Sequence, residues 1–375
     1  MVQDTTERAL LRDAAQSVLK RIEPSAEVRR MESGGLGYSE SSWQSFLTDL
    51  GAGATLVPEE HGGLGLGFGD ACVVLEELGA VCYNGPFLSS AVLSVLTLTV
   101  ADTDVAEDLS ALAAGERTAA VTALHHGPDP ARWPAEVRAD GDGPRWALTG
   151  RGTGVLHGLG ADVLYVVARH ADGLGVWAVD GEAPGHRRRG LVTLDLTRAQ
   201  SEHVFERTPA RLVLTPSEDT GRLRRLGMLA TVALSAEQVG ACEHLLATTL
   251  EYARTRYQFG RAIGSFQAIK HRCVDMAIAV QGAIAAYTSA RDQVDNAGGV
   301  AAPDTPALRR AAAIAGSYCS EAFLAVAGAS LQIHGGIGMA WEHDTHLYLR
   351  RAKAAERLFG SPVEQRRELL KTLDG

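Results

Sequence analysis

Cysteine is sparse, and its spacing suggests no pairing. The five residues, Cys72, Cys82, Cys242, Cys273 and Cys319, form no CxxC pair, and their number is odd. That speaks against a disulfide framework and against a zinc or other metal site. Buried thiols in a reducing, cytoplasmic setting are expected instead. Long apolar runs are also lacking. The longest, Ala91 to Val100, is interrupted by Ser94, Thr97 and Thr99 and falls far short of the roughly 20 residues that cross a bilayer. No membrane span is expected. The N-terminal residues, with Asp4, Glu7 and Arg8, do not resemble a secretory leader. Basic charge is in deficit: 36 Lys and Arg stand against 45 Asp and Glu, for a net charge of −9. A nucleic-acid partner, which favours a basic stripe, is not expected. Internal repeats and low-complexity tracts are absent as well.

What the chain does have is globular composition, 46% hydrophobic and 22% charged, over 375 residues. That length exceeds one simple core and points to two or three domains. Residues 1–115 read as helical. Glu7 to Ile22 carries Leu10, Leu11, Ala14, Val18 and Leu19 near a 3.6-residue period, and Asp70 to Gly79 repeats the pattern, with Gly79 as the expected C-cap. Residues 116–220 change to short β-rich runs: Thr118–Ala123, Arg145–Thr149, Ala161–Ala168, Gly175–Val179 and Ala210–Leu214, separated by Gly, Pro and Asp. Residues 221–375 return to helix, in long stretches Leu226–Arg254, Phe266–Ala297 and Thr305–His334, with a closing helix Arg367–Leu373. Long helices with short connections argue for an antiparallel bundle. The fold class read from this order is α+β: a helical domain, a β-barrel-like domain and a four-helix bundle.

Three motifs carry chemistry. The first is Val57-Pro-Glu-Glu-His-Gly-Gly-Leu-Gly-Leu-Gly67 with Leu75-Glu-Glu-Leu-Gly79. The second runs from Tyr252 through Arg256-Tyr-Gln258-Phe259-Gly260 to Ile269. The third is Leu331-Gln332-Ile-His334-Gly335-Gly336-Ile-Gly338, leading to His346-Leu-Tyr-Leu-Arg350-Arg351-Ala-Lys353. Together and in this order they resemble the acyl-CoA dehydrogenase family over nearly the whole chain. The resemblance implies FAD as cofactor, an acyl-CoA thioester as substrate and an electron-accepting flavoprotein as a further partner. It implies that Arg256, Gln258, Phe259, Gln332, Gly335 and Gly336 reach across an interface to the dinucleotide half of a neighbour's FAD. Cationic donors and close backbone approach are what a diphosphate needs. His334 reads as a packed helix-end residue.

The family removes two hydrogens from an acyl thioester: a glutamate takes the α-proton and the flavin takes the β-hydride. Here the matched base position holds Phe359, and the alternative position holds Ala230 beside Thr231. The nearest acids, Glu237 and Glu356, are expected to be surface or interface residues. The turn that normally reads Thr-Glu-Pro-Gly-x-Gly-Ser-Asp reads Thr122-Ala-Leu-His-His-Gly-Pro-Asp129. Gly154 stands where an aromatic would meet the flavin ring, and Leu156 where a threonine would. The losses fall on the chain's own flavin, whereas the groups lent to a neighbour are kept. This resembles the heteromeric α2β2 branch of the family, whose members often act on bulky esters such as steroid side chains. Three readings follow. The chain is a partner subunit for a homologous catalytic chain, a self-sufficient flavin enzyme with a relocated base, or a flavin-free scaffold of the same fold.

Overall fold

The computed structural model describes residues 6–31, 34–133, 136–143 and 145–372. Six helices come first: α1 (Thr6–Ile22), α2 (Pro24–Arg30), α3 (Glu40–Leu50), α4 (Phe68–Ala80), α5 (Val95–Leu98) and α6 (Ala106–Ala113). A π-helical turn over Phe87–Ser94 precedes α5. Half-buried ion pairs fix α1 to its neighbours: Arg8 reaches Asp70 at 2.7 Å and Asp295 at 3.0 Å, and Arg12 reaches Glu76 at 2.9 Å and Glu77 at 2.5 Å.

Seven strands follow: β1 (Ala119–Val121), β2 (Val137–Asp142), β3 (Arg145–Leu156), β4 (Val163–His170), β5 (Gly173–Asp180), β6 (His186–Leu191) and β7 (Gln200–Ser217). Their order is β1-β4-β2-β3-β7-β5, and β5 pairs back onto β4, which closes a barrel. β6 lies outside on β7. Trp177, Leu148, Leu164, Val166, Val179 and Phe205 fill the interior. β3 continues to Leu156 through two register shifts, one between Leu148 and Gly150 and one between Gly152 and Val155. The glycines that look like a strand end in sequence are thus bulge positions. β2 and β6 escape a hydrophobic reading because each is half-exposed and built largely of Arg, Asp and Gly.

The C-terminal part holds α7 (Gly221–Thr255), a small hairpin of β8 (Tyr257–Gln258) and β9 (Arg261–Ala262), α8 (Gln267–Asn296), α9 (Pro306–His334), α10 (Thr345–Ala355) and α11 (Pro362–Lys371). The last helix begins earlier than expected, because Ser361 and Glu364 form a capping box across Pro362. Its expected end at Leu373 lies outside the described residues. α7 is buried on every side from Leu226 to Cys242. α8 buries Cys273, Met276, Val280, Ala283, Tyr287, Ala290 and Val294. That spacing of three and four is a coiled-coil seam, which leaves the other faces of α8 uncovered. By length and composition α8 and the α9 segment Pro306–Met339 would qualify as membrane spans. Both pack in the bundle, α9 against α7, α8, α10 and α11, and an apolar bundle helix meets the same measure.

Gly79 is not a C-cap. It lies inside α4 and is buried. A Cβ there would sit 1.9 Å from the Glu237 carbonyl oxygen, and one on Gly240 would sit 1.8 Å from that of Glu76. The two glycines let the backbones of α4 and α7 touch. Gly240→Ala would force these helices apart, and overpacking of this kind costs about 1–3 kcal/mol or more. The expected result is a lower midpoint in urea with an unchanged m-value.

Candidate functional site

The second and third motifs meet at one edge. Tyr252, in the last turn of α7, stacks on His334, the last residue of α9, with ring centroids 4.4 Å apart. His334 is buried, and its Nδ1 lies 2.8 Å from the Ser330 carbonyl oxygen. This stack sets Arg256 and Gly335 on the same side, since each follows its helix end directly. The Arg256 backbone N–H donates to the Tyr252 carbonyl at 2.9 Å, and its own carbonyl accepts from Ile263 at 2.8 Å, so the backbone is held. The Arg256 side chain is exposed and has no acidic partner among the described residues. Gln258 is exposed in β8, and Phe259 stands at the hairpin tip with φ of 52° and 90% exposure. The guanidinium of Arg261 lies 4.0 Å from the centre of the Phe266 ring and stiffens the hairpin base. Across the edge, Gln332 is exposed, and Gly335 (φ 63°) and Gly336 have no atom within 4 Å of where a Cβ would stand.

The ring side is built in the opposite way. Phe359 is 2% exposed at a φ of 56°, and Ala230 is fully buried. The Gln365 amide bridges the two positions: its Nε2 donates to the Phe359 carbonyl at 2.8 Å and to Thr231 Oγ1 at 3.4 Å. The turn after β1 closes over them. A Cβ on Gly360 would meet Pro128 at 2.5 Å, Trp133 Nε1 donates to the Gly127 carbonyl at 2.9 Å, and Lys371 pairs with Asp129 at 3.0 Å. Leu124 and Leu156 are buried in the same large apolar core as Phe359 and Ala230. Gly154, at φ of 68°, lies within the second bulge.

Glu237 is not a surface residue. It is 3% exposed, and its Oε1 accepts from Arg351 Nε at 2.9 Å and from the Arg198 guanidinium. Arg351 also donates to the Tyr83 carbonyl at 2.9 Å and to Thr197 Oγ1 at 2.8 Å. The cluster therefore joins all three parts of the chain. Burial alone would raise the Glu237 carboxyl, but the two guanidiniums outweigh it and hold the group below the usual carboxylate value. A carboxylate so held is a poor proton acceptor. Sequence reading missed this because neither Arg198 nor the partnering of Arg351 carries a pattern. Glu356 is half-exposed and pairs with Lys353 at 2.6 Å.

Relatives fit this architecture. Residues 4–114 match the acyl-CoA dehydrogenase N-terminal domain, and residues 228–373 match the acyl-CoA dehydrogenase C-terminal domain. Acyl-CoA dehydrogenase IpdE2 of Mycobacterium tuberculosis is 34% identical over 366 residues, covering 97% of this chain and 96% of its own. The chain belongs to the acyl-CoA dehydrogenase family. Among solved structures, the ChsE4–ChsE5 complex of Mycobacterium tuberculosis contains a chain 28% identical with a TM-score of 0.87, covering 99% of this chain and 98% of that one. A steroid ACAD variant, Tcur3481–Tcur3483, is 26% identical with a TM-score of 0.86 and covers 98% of both chains.

The family's cofactor is FAD. The open edge fits its dinucleotide half: a guanidinium with no acidic partner among the described residues and two glycines with clear space above them suit a diphosphate. The ring side does not fit, because Phe359, Gln365 and the turn at Pro128 are packed on one another. Replacing a charge-assisted contact to phosphate removes about 1.5–3 kcal/mol, or about 10–150-fold in affinity. Arg256→Ala in an assembled complex is therefore expected to lower flavin occupancy while assembly persists. Flavin absorbance per complex after dilution reads it out; unchanged occupancy would leave Arg256 a solvated helix-end residue.

Proposed function

We propose that the chain is the partner subunit of a heteromeric acyl-CoA dehydrogenase, lending phosphate contacts to FAD seated in a homologous catalytic chain. The observation that carries this is the contrast between the open edge at Arg256 and Gly335 and the packed side at Phe359. FAD at that interface supplies the hydride acceptor for α,β-dehydrogenation of an acyl-CoA thioester. Arg256 binds the diphosphate, Gln258 and Gln332 flank it, Gly335 and Gly336 let the backbone approach, and Phe259 packs beside the nucleotide. Proton abstraction belongs to the partner. Similarity to a two-chain complex and to a steroid ACAD supports a bulky acyl-CoA substrate with a steroid-like body, and a further flavoprotein accepts the electrons. A reducing, cytoplasmic setting is in keeping with five buried cysteines, none of them bonded. The pinned state of Glu237 weighs against a self-sufficient enzyme with a relocated base.

Assembly is the first test. Tyr257, Phe259, Ile337, Met339 and Trp341 expose apolar surface around the edge, and Val274 and Ile278 do so on α8. Patches of this kind mark interaction sites. An obligate interface buries above about 2,000 Å², so two pairs forming a tetramer are expected. Size measurement at micromolar concentration, alone and with the homologous chain, reads this directly, together with flavin absorbance. A stable monomer in both samples would refute it.

A further inference from the structure

The barrel holds two histidines that the lending role does not use. His186 Nδ1 lies 2.9 Å from the Gly181 carbonyl oxygen, and His186 Nε2 lies 2.9 Å from His203 Nδ1. His203 Nε2 lies 2.8 Å from Ser201 Oγ, which in turn lies 3.2 Å from the Val155 carbonyl oxygen. The two ring planes are within 12° of parallel, with centroids 5.2 Å apart. His203 and Ser201 are fully buried, and His186 is half-buried on the outer strand β6.

Both ends of this chain of contacts are carbonyl oxygens, which only accept. Four contacts need four hydrogens. Neutral His186 and His203 bring one ring proton each, and Ser201 brings its hydroxyl proton. The chain is one proton short.

We propose that His186, His203 and Ser201 form a binding site for one shared proton, and that its uptake closes the contact from Ser201 to Val155 and tightens the bulge of β3. Without the proton, the gap falls at the longest contact, Ser201 to Val155. Both imidazoles are then Nδ1–H tautomers, and the serine hydroxyl donates to His203 Nε2. With the proton, taken from solvent through His186, His203 Nε2–H donates to Ser201 Oγ and the hydroxyl turns to Val155. No covalent bond between heavy atoms changes.

The surroundings place this uptake on the acid side of the ordinary histidine range. Burial holds both imidazoles down, His203 to about 3. Arg188 opposes the charge, while Asp180 and Glu182 favour it at His186. Phe205 of β7 stacks on His186 at 5.2 Å and adds no charge. The neighbouring residues Arg187 and Arg189 are occupied by Glu206 and Glu202. A second chain, Asn84 carbonyl to His157 to Ser89 to Pro86 carbonyl, is also one proton short. There the ring of His157 is enclosed, and among the described residues no half-buried histidine links it to solvent as His186 links His203.

The site is keyed to one segment. A Cβ on Gly158 would lie 2.6 Å from both His203 Nε2 and Ser201 Oγ. Val155 stands between Gly154 and Leu156, the two positions where flavin-ring contacts are lost. The device is an acid-tightened latch on that strand.

The test uses the folded full chain with 15N-labelled histidine rings, followed from pH 8 down to the onset of acid unfolding, alongside the Ser201→Ala variant. At pH 8 both His186 and His203 should be Nδ1–H tautomers. On acidification the pair should take up one proton as a unit, and amide exchange over 152–158, corrected for its intrinsic rate, should slow. Ser201→Ala leaves two contacts and two ring protons, so the shortage disappears. Its proton affinity should fall about tenfold, the worth of one hydrogen bond, and exchange should no longer slow. An Nε2–H tautomer at His203, independent titration of the two rings, no uptake before acid unfolding, or an unchanged midpoint in Ser201→Ala would each overturn the proposal. Should that variant fail to fold, the wild-type tautomers still decide.

Discussion

Purified alone and given FAD, the chain is expected to reduce no artificial acceptor with any acyl-CoA, while the complex with its homologous partner turns over. A general base is worth about 10²–10⁴-fold, and here both positions that could hold one are apolar and buried, Phe359 at 2% exposure and Ala230 at 0%. The effect is larger than the missing base alone, because the ring side has no room for the reaction. Phe359→Glu is not expected to restore turnover. It would place a carboxylate in an apolar core, on a backbone at φ of 56° that side chains rarely adopt. Such a group stays protonated or destabilises the fold. Turnover by the single chain, measured on a preparation shown to be homogeneous, would sink the partner reading.

The helices were legible in the sequence where burial follows a period. α1 and the long C-terminal helices repeat apolar residues every three to four positions, and α8 does so along its whole length. The barrel was legible only in its inner strands. β4 and β5 are buried nearly throughout and read as apolar runs, whereas β6 pairs on β7 with an exposed arginine-rich face. At the site, local motifs named Arg256 and Gly335, but not the contact that brings them together. The stack of Tyr252 on His334 spans 82 residues, and nothing in the spacing announces it. Glu237 was misplaced for the same reason. An acid in an alanine-rich helix reads as a solvated face until its partners, 39 residues before it and 114 after it, are known.

Those partners make Glu237 the residue whose loss should cost the fold most. Glu237→Leu would leave Arg198 and Arg351 facing each other at 2% and 3% exposure. Breaking a buried pair by removing one member costs about 3–5 kcal/mol, since the remaining charge stays desolvated. Two guanidiniums share this carboxylate, so the upper part of that range is expected, seen as a large fall in the urea midpoint. The cluster also ties Tyr83, Thr197 and α10 to α7, so the three parts of the chain should loosen together. The pH dependence has a definite sign. The Glu237 carboxyl is held below its unfolded value, so its contribution is present above the ordinary glutamate pKa of about 4.3 and is lost as pH falls through the folded value. Glu237→Leu should therefore flatten the acid limb of the stability profile as well as lower its plateau. Adding Arg198→Met and Arg351→Met to Glu237→Leu should recover little of the loss, because Asp195, 1% exposed and 3.9 Å from Arg198, would then be the buried charge left without a partner. If the single change costs less than about 1 kcal/mol, the size of an exposed pair, the cluster is hydrated in solution and does not bind the three parts of the chain together.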